Sequence, residues 1–199
     1  MKIILVGASG DVGQAAYAAL SPHHDVVHAG RHGADVTVDI GDRRSIEAMY
    51  DAVGAFDAVA STAGNVHFAP LAEFTEETFM LGLENKVMGQ INLVLAGLRR
   101  VSGAGSFTLT SGVLDRDPIV TGVGAATANA ALAGFVKGAA IEMPAGARIN
   151  VVSPGLLEES EARYGAFFPG HERVSSARVG RAFVKCVEGA MTGQVVIAE

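Results

Sequence analysis

The stretch MKIILVGASGDVGQAAYAAL, Met1 to Leu20, decides the fold. Lys2 to Val6 is a short apolar, β-branched run closed by Gly7, the pattern of a buried strand. Gly7, Gly10 and Gly13 follow at three-residue spacing, and an Ala-rich run then continues to Leu20 before Pro22 stops it. Glycine at such a turn answers a steric demand: the chain reverses tightly, its backbone approaches a ligand, and the helix lies close to the strand. The first turn of the helix adds unpaired N–H groups and a partial positive charge, which suit a pyrophosphate. Placed between a strand and a helix, the spacing predicts dinucleotide binding through Gly7, Ser9, Gly10, Asp11, Val12 and Gly13.

Composition agrees. The 199 residues are 49% apolar and 18% charged, with 25 glycines, which suits one domain, residues 1–199, built on strands buried from both faces. The net charge of −6, without a Lys/Arg cluster, argues against nucleic acid as partner. The lone Cys186 excludes an internal disulfide and sits in a helix-like run where packing explains it. No signal peptide or membrane span is evident, so the expectation is a cytoplasmic protein with no membrane partner. The six histidines form no ligand pattern, and no metal site is expected.

Strand-like and helix-like segments alternate along the chain. Strands are expected at 2–6, 24–29, 34–39, 58–61, 106–110, 148–152 and 194–198. Helices are expected at 43–53, from Thr75 to about Val101 in two pieces, at 125–143 and at 176–190, with 156–172 irregular. Alternation of this kind predicts an α/β fold: a Rossmann-type doubly wound parallel sheet of about seven strands with helices on both faces.

Five further segments, each closing a strand, resemble the short-chain dehydrogenase/reductase family over essentially the whole chain. They are Ala29-Gly30-Arg31, Val38-Asp39-Ile40, Ser61-Thr62-Ala63-Gly64, Leu109-Thr110-Ser111 and Asn150-Val151-Val152-Ser153-Pro154-Gly155. The resemblance implies that Asp39 and Ile40 flank an adenine, Ala63 and Gly64 lie along the cofactor, and Pro154, Gly155 and Leu156 lie against a nicotinamide. An acidic residue at the end of the second strand would favour NAD, whereas Arg suits a 2′-phosphate. Here Arg31 and His32 stand in that place, and a guanidinium grips phosphate bidentately, so NADP(H) is the expected cofactor.

Departures from the family's pattern concern catalysis. The resemblance implies a Ser, a Tyr-x-x-x-Lys pair and an Asn. Ser111 matches the Ser. Alignment through Ala131-Leu132-Ala133-Gly134-Phe135 puts Ala125 at the Tyr position and Asn129 at the Lys position. Lys86 falls in the Asn place, with Asn85 fitting after a one-residue shift. An amide and an amine have thus exchanged helices, and the phenol is gone. Ser111, Lys86 and Asn129 are the candidate catalytic residues, with Lys86 the first substitute for the acid and His67 and Tyr164 the others. The leading reading is an NADP(H)-dependent oxidoreductase of a small carbonyl or alcohol-type substrate. A non-redox sensor, or an isomerase or lyase on the same fold, is the alternative. Gly134 and Gly138 permit close packing on the sheet or across a subunit interface, and the resemblance implies a homodimer or homotetramer.

Overall fold

A computed structural model describes residues 1–199, the side chain of Ala145 excepted. Its elements are β1 Lys2–Val6, α1 Asp11–Leu20, β2 Asp25–Gly30, β3 Val36–Thr37, α2 Arg43–Val53, β4 Phe56–Ser61, α3 Glu76–Gly82, α4 Gly89–Gly97 and β5 Val101–Thr110. Then come α5 Val123–Ala140, β6 Arg148–Pro154, β7 Leu156–Leu157, α6 Glu161–Tyr164, β8 Arg173–Val174, α7 Ser176–Glu188 and β9 Val195–Ala198. Seven strands form one parallel sheet in the order β3-β2-β1-β4-β5-β6-β9. The chain reverses its direction of travel across the sheet between β1 and β4, so the carboxyl ends of these two strands diverge into a crevice.

Strand alternation divides the core in two. Ile4, Val6, Val59, Phe107, Leu109, Ile149 and Val151 pack under α2, α4 and α5. Ile3, Leu5, Ala58, Ala60 and Val152 face α1 and α7. Each fully buried Ile, Leu or Phe contributes about 1.5–3 kcal/mol, so the two layers hold the sheet flat against its helices. Gly180 lets α7 lie directly on α1, since a Cβ there would stand 2.7 Å from the Ala15 carbonyl. Cys186 is fully buried in this layer, and burial pushes its thiol up to about 12, so it packs as an inert apolar group.

Several boundaries differ from expectation. The third strand shrinks to Val36–Thr37, because only Ala29 and Gly30 of β2 pair with it. Val101, expected in a helix, begins β5 through pairing with Phe56. The long helix is Val123–Ala140. The segment 156–172, expected to be irregular, contains β7, which pairs with β8, and the single turn α6.

Candidate active site

Crevice geometry starts from Gly7. Its φ of +90° and a phantom Cβ 2.9 Å from both the Ala63 amide and Thr62 Oγ1 leave no room for a side chain. Gly13 is tighter still: a Cβ there would lie 2.2 Å from the Gly7 carbonyl. Gly10 differs, because its Cβ would meet only the Gly7 carbonyl at 3.9 Å. Packing does not demand glycine at position 10, so what its bareness keeps is open space above the start of α1. No side chain caps that helix, and its first amides are left facing the same space. A cleft of about 530 Å³ opens there, lined by Gly7, Ser9, Gly10, Arg31, His32, Asp39, Ile40, Ala63 and Gly64 among others.

Three expected cofactor residues of the turn do not line this cleft. Gly13 holds helix to strand, and Val12 packs against the inner core. The Asp11 carboxylate accepts hydrogen bonds from Ser160 Oγ and Arg163, which hold it below the usual carboxylate range. Its side chain therefore tethers the segment after β7 and does not line the cleft.

At the other end, Arg31 and His32 are exposed on the rim. The first carboxylate after them, Asp35, accepts from the His28 amide at 2.9 Å. Asp39 Oδ1 accepts from the Gly41 amide at 2.9 Å, closing the turn before α2. The rim thus offers a guanidinium to a phosphate, with the nearest acids engaged by backbone.

Gly64 links this cleft to the candidate catalytic residues. It has φ +140°, and a Cβ would lie 2.7 Å from Lys86 Cγ. Lys86 stands in a π-helical stretch, Leu83–Met88, joining α3 to α4. One extra residue in that turn rotates the side chain towards α5, and such widened turns recur at functional sites. Lys86 Nζ donates to Asn129 Oδ1 at 2.7 Å and to the Ser111 carbonyl at 3.0 Å. Asn129 Nδ2 in turn donates to the Gly112 carbonyl at 3.1 Å. The adjacent Asn85 is excluded from this role, because its Oδ1 accepts the Asn65 amide. Burial draws the Lys86 ammonium down to about 8, against an opposing pull from the Asp115 carboxylate. Ser111 Oγ is buried and has no hydrogen-bond partner among the described residues. A buried hydroxyl without a partner is costly unless a ligand completes it. Ala125 is buried among Val113 and Leu114, so apolar packing covers the position of the family's phenol.

Residues 4–187 match the profile of the family described as Enoyl-(Acyl carrier protein) reductase. The chain belongs to the short-chain dehydrogenase/reductase family. Among solved structures it resembles the protein lin1944 from Listeria innocua at 49% identity and a TM-score of 0.98, over 100% of both chains. It also resembles a small-chain dehydrogenase in complex with NADPH, at 25% identity and a TM-score of 0.86, over 100% of this chain and 96% of that one. A further small-chain dehydrogenase, at 24% identity and a TM-score of 0.82, shares the fold. No functionally curated protein matches the chain.

In this short-chain dehydrogenase/reductase, Pro154, Gly155 and Leu156 lie at the carboxyl end of β6, where the Ser111 amide donates to the Val152 carbonyl at 2.9 Å. They are not among the residues that line the 530 Å³ cleft. Among the described residues, neither of the other two candidate acids is hydrogen-bonded to Lys86, Ser111 or Asn129. His67 packs edge-on against Phe74 at 5.5 Å, and Tyr164 is 49% exposed under the Arg163 guanidinium. Sequence reading missed Gln90, which is fully buried and grips β5 where it delivers Ser111. Its Nε2 donates to the Thr110 carbonyl at 2.9 Å, and its Oε1 accepts the Thr110 amide at 2.8 Å. A Gln one residue after the helix glycine was the available signal. Among the described residues, no helix is long and apolar enough to cross a membrane.

Proposed function

We propose that this chain is an NADP(H)-dependent oxidoreductase of small carbonyl or alcohol substrates in which Lys86 moves the proton that a tyrosine moves elsewhere in the family. The observation that carries this reading is the 2.7 Å contact between Lys86 Nζ and Asn129 Oδ1. It turns two isolated departures from the family's pattern into one preorganised unit.

The cleft fits the cofactor. Bare Gly10, the uncapped start of α1 and the Arg31 rim supply space, amide donors and a cation in the order a phosphorylated dinucleotide needs. Asp39 and Ile40 would take the adenine side, Ala63 and Gly64 the middle, and Pro154, Gly155 and Leu156 the nicotinamide side. When bound, the nicotinamide supplies hydride chemistry.

The chain's own residues supply the rest. An ammonium has three N–H donors, and Lys86 uses two of them on Ser111 O and Asn129 Oδ1. The third is left for a substrate oxygen. Ser111 Oγ, unpartnered and buried, donates to the same oxygen and orients it. Asn129 is itself locked by the Gly112 carbonyl, so it holds Lys86 in one position. An amine titrating at about 8 gives its proton to a developing alkoxide in reduction and, once neutral, removes one from an alcohol in oxidation.

NADPH oxidation across a panel of small aldehydes and ketones tests this reading. Turnover supports it, whereas binding without turnover favours a non-redox sensor. Arg31→Ala is expected to weaken NADPH at least about 10-fold by removing a bidentate phosphate contact, while leaving NADH within about two-fold. Equal effects on both cofactors would remove Arg31 from the site.

The chain is further proposed to act as a homodimer or homotetramer. A Cβ at Gly134 or Gly138 on α5 would meet no described atom of another element within 4 Å, so packing among the described residues does not demand glycine there, and Leu95 on α4 and Ile141 at the end of α5 are exposed. Light scattering is expected to give two or four chain masses; a single chain mass would overturn this.

A further inference from the structure

We infer that Arg116 anchors a carboxylate on the substrate, and that Glu199 occupies this position in the substrate-free protein. The inference rests on the reading of Ser111 and Lys86 as the place of the reacting oxygen, and it names the substrate class that reading leaves open.

Arg116 follows Ser111 through a tight 3₁₀ turn, its amide donating to the Val113 carbonyl at 2.9 Å. One edge of its guanidinium is fixed by the fold. Nη1 donates to Asp115 Oδ1 at 3.0 Å and to Ser153 Oγ at 2.8 Å. The Asp115 side chain is 10% exposed and Ser153 is fully buried, so neither partner is free to leave. The other edge is different. Nη2 is held by the Glu199 carboxylate, whose side chain is 42% exposed and lies over Gly155, its Cγ 3.3 Å from the position of a Cβ there. A half-exposed pair of this kind contributes little, about 0–1 kcal/mol, and Glu199 moves into water without leaving a buried charge.

The location points to substrate. Thr110 and Val152 are register partners on β5 and β6, and the Ser111 amide continues the ladder by donating to the Val152 carbonyl at 2.9 Å, so Ser111 and Ser153 follow side by side at one strand spacing, ~4.8 Å. Arg116, bonded to Ser153 Oγ, therefore stands one strand over from the residue whose hydroxyl orients the reacting oxygen. The turn between Ser111 and Arg116 carries its own apolar residues: Val113 and Leu114 are buried with Ala125, and Phe168 packs against them. A guanidinium with one edge clamped and the other covered by an exchangeable carboxylate, beside an apolar cluster, fits a short oxo acid or hydroxy acid. Its carboxylate takes the place of Glu199, and its carbonyl or hydroxyl reaches Ser111 and Lys86. Planar, fixed forks are what bidentate carboxylate binding requires, and Arg serves this where Lys does not.

The test is calorimetric titration of the protein, alone and with saturating NADP⁺, with acetoacetate and 4-oxopentanoate and with their methyl esters. The wild type is expected to bind the acids at least about 10-fold tighter than the esters, the discrimination of a charge-assisted pair. Arg116→Gln removes that discrimination. Glu199→Gln tightens the acids several-fold, because it removes the internal competitor, an effect that a purely structural Arg116–Glu199 pair does not produce. Acids and esters binding alike in the wild type, or discrimination surviving in Arg116→Gln, overturns the inference. If Arg116→Gln does not fold, Glu199→Gln decides, and unchanged acid affinity overturns it. NADPH titrated into the same samples reports the cofactor cleft separately. A wild type that takes the acids but no NADPH refutes the oxidoreductase reading and keeps the carboxylate site.

Discussion

Lys86→Met is expected to lower kcat for carbonyl reduction by about 10²–10⁴-fold, roughly 3–5 kcal/mol of barrier, with no loss of thermal stability at pH 7. The two halves of this result come from one cause. Lys86 is lowered from 10.5 to about 8 because folding buries its ammonium. Between these values the folded protein binds fewer protons than the unfolded chain, so wild-type stability rises as pH climbs from about 8 to about 10.5. Below pH 8 the buried charge opposes folding by on the order of 3 kcal/mol, an opposition Met removes. Against that stands the loss of two hydrogen bonds, which leaves Asn129 Oδ1 and the Ser111 carbonyl without their donor. The terms offset, and Tm stays within a few degrees while activity collapses. The pH profile gives the sign. Reduction by the wild type falls as pH rises through about 8, where the ammonium is lost, and oxidation rises through the same value. Both inflections are expected to vanish in Lys86→Met. A variant with unchanged kcat and unchanged pH profile would show that Lys86 only supports Asn129.

The second large effect separates two glycines that look alike in sequence. Gly13→Ala places a Cβ 2.2 Å from the Gly7 carbonyl and 2.8 Å from Ala8 Cα, and both obstacles are backbone. The turn has to open, at a cost of about 2–4 kcal/mol, and NADPH affinity is expected to fall below detection. Gly10→Ala meets nothing nearer than 3.9 Å. It is expected to keep its denaturation midpoint in urea and still lose about 10-fold or more in NADPH affinity, because its methyl enters the space reserved for the phosphates. Urea unfolding and fluorescence titration on both variants check the contrast. Equal stability losses would mean that Gly10 also serves packing.

What was legible in the sequence follows from what is local. The β1–turn–α1 unit, α2 and the carboxyl ends of β4, β5 and β6 carry their own periodicity and stop signals, and they lie where expected. The β7–β8 pair was not legible, because each strand has two residues and its partner lies about fifteen residues away. The choice between Asn85 and Lys86 also depended on tertiary contacts. Either fitted the family's pattern, and only tertiary contacts separate them: Lys86, in the π-helical turn, packs where Gly64 lacks a Cβ and reaches Asn129, whereas Asn85 accepts the Asn65 amide. Asp11 was expected at the cofactor because it stands inside the glycine turn, but a Ser160 hydroxyl and an Arg163 guanidinium remote in sequence engage it. Arg116 and Glu199 are likewise 83 residues apart, and no spacing rule joins them.

Calorimetric titration of the purified protein with NADPH, with NADH as the control ligand, tests the central claim most directly. The cleft at Gly10 and the guanidinium at Arg31 predict micromolar binding of NADPH and binding of NADH weaker by at least about 10-fold. Absence of heat with either ligand, at protein concentrations where the fold is intact, would contradict the cofactor site and with it the oxidoreductase.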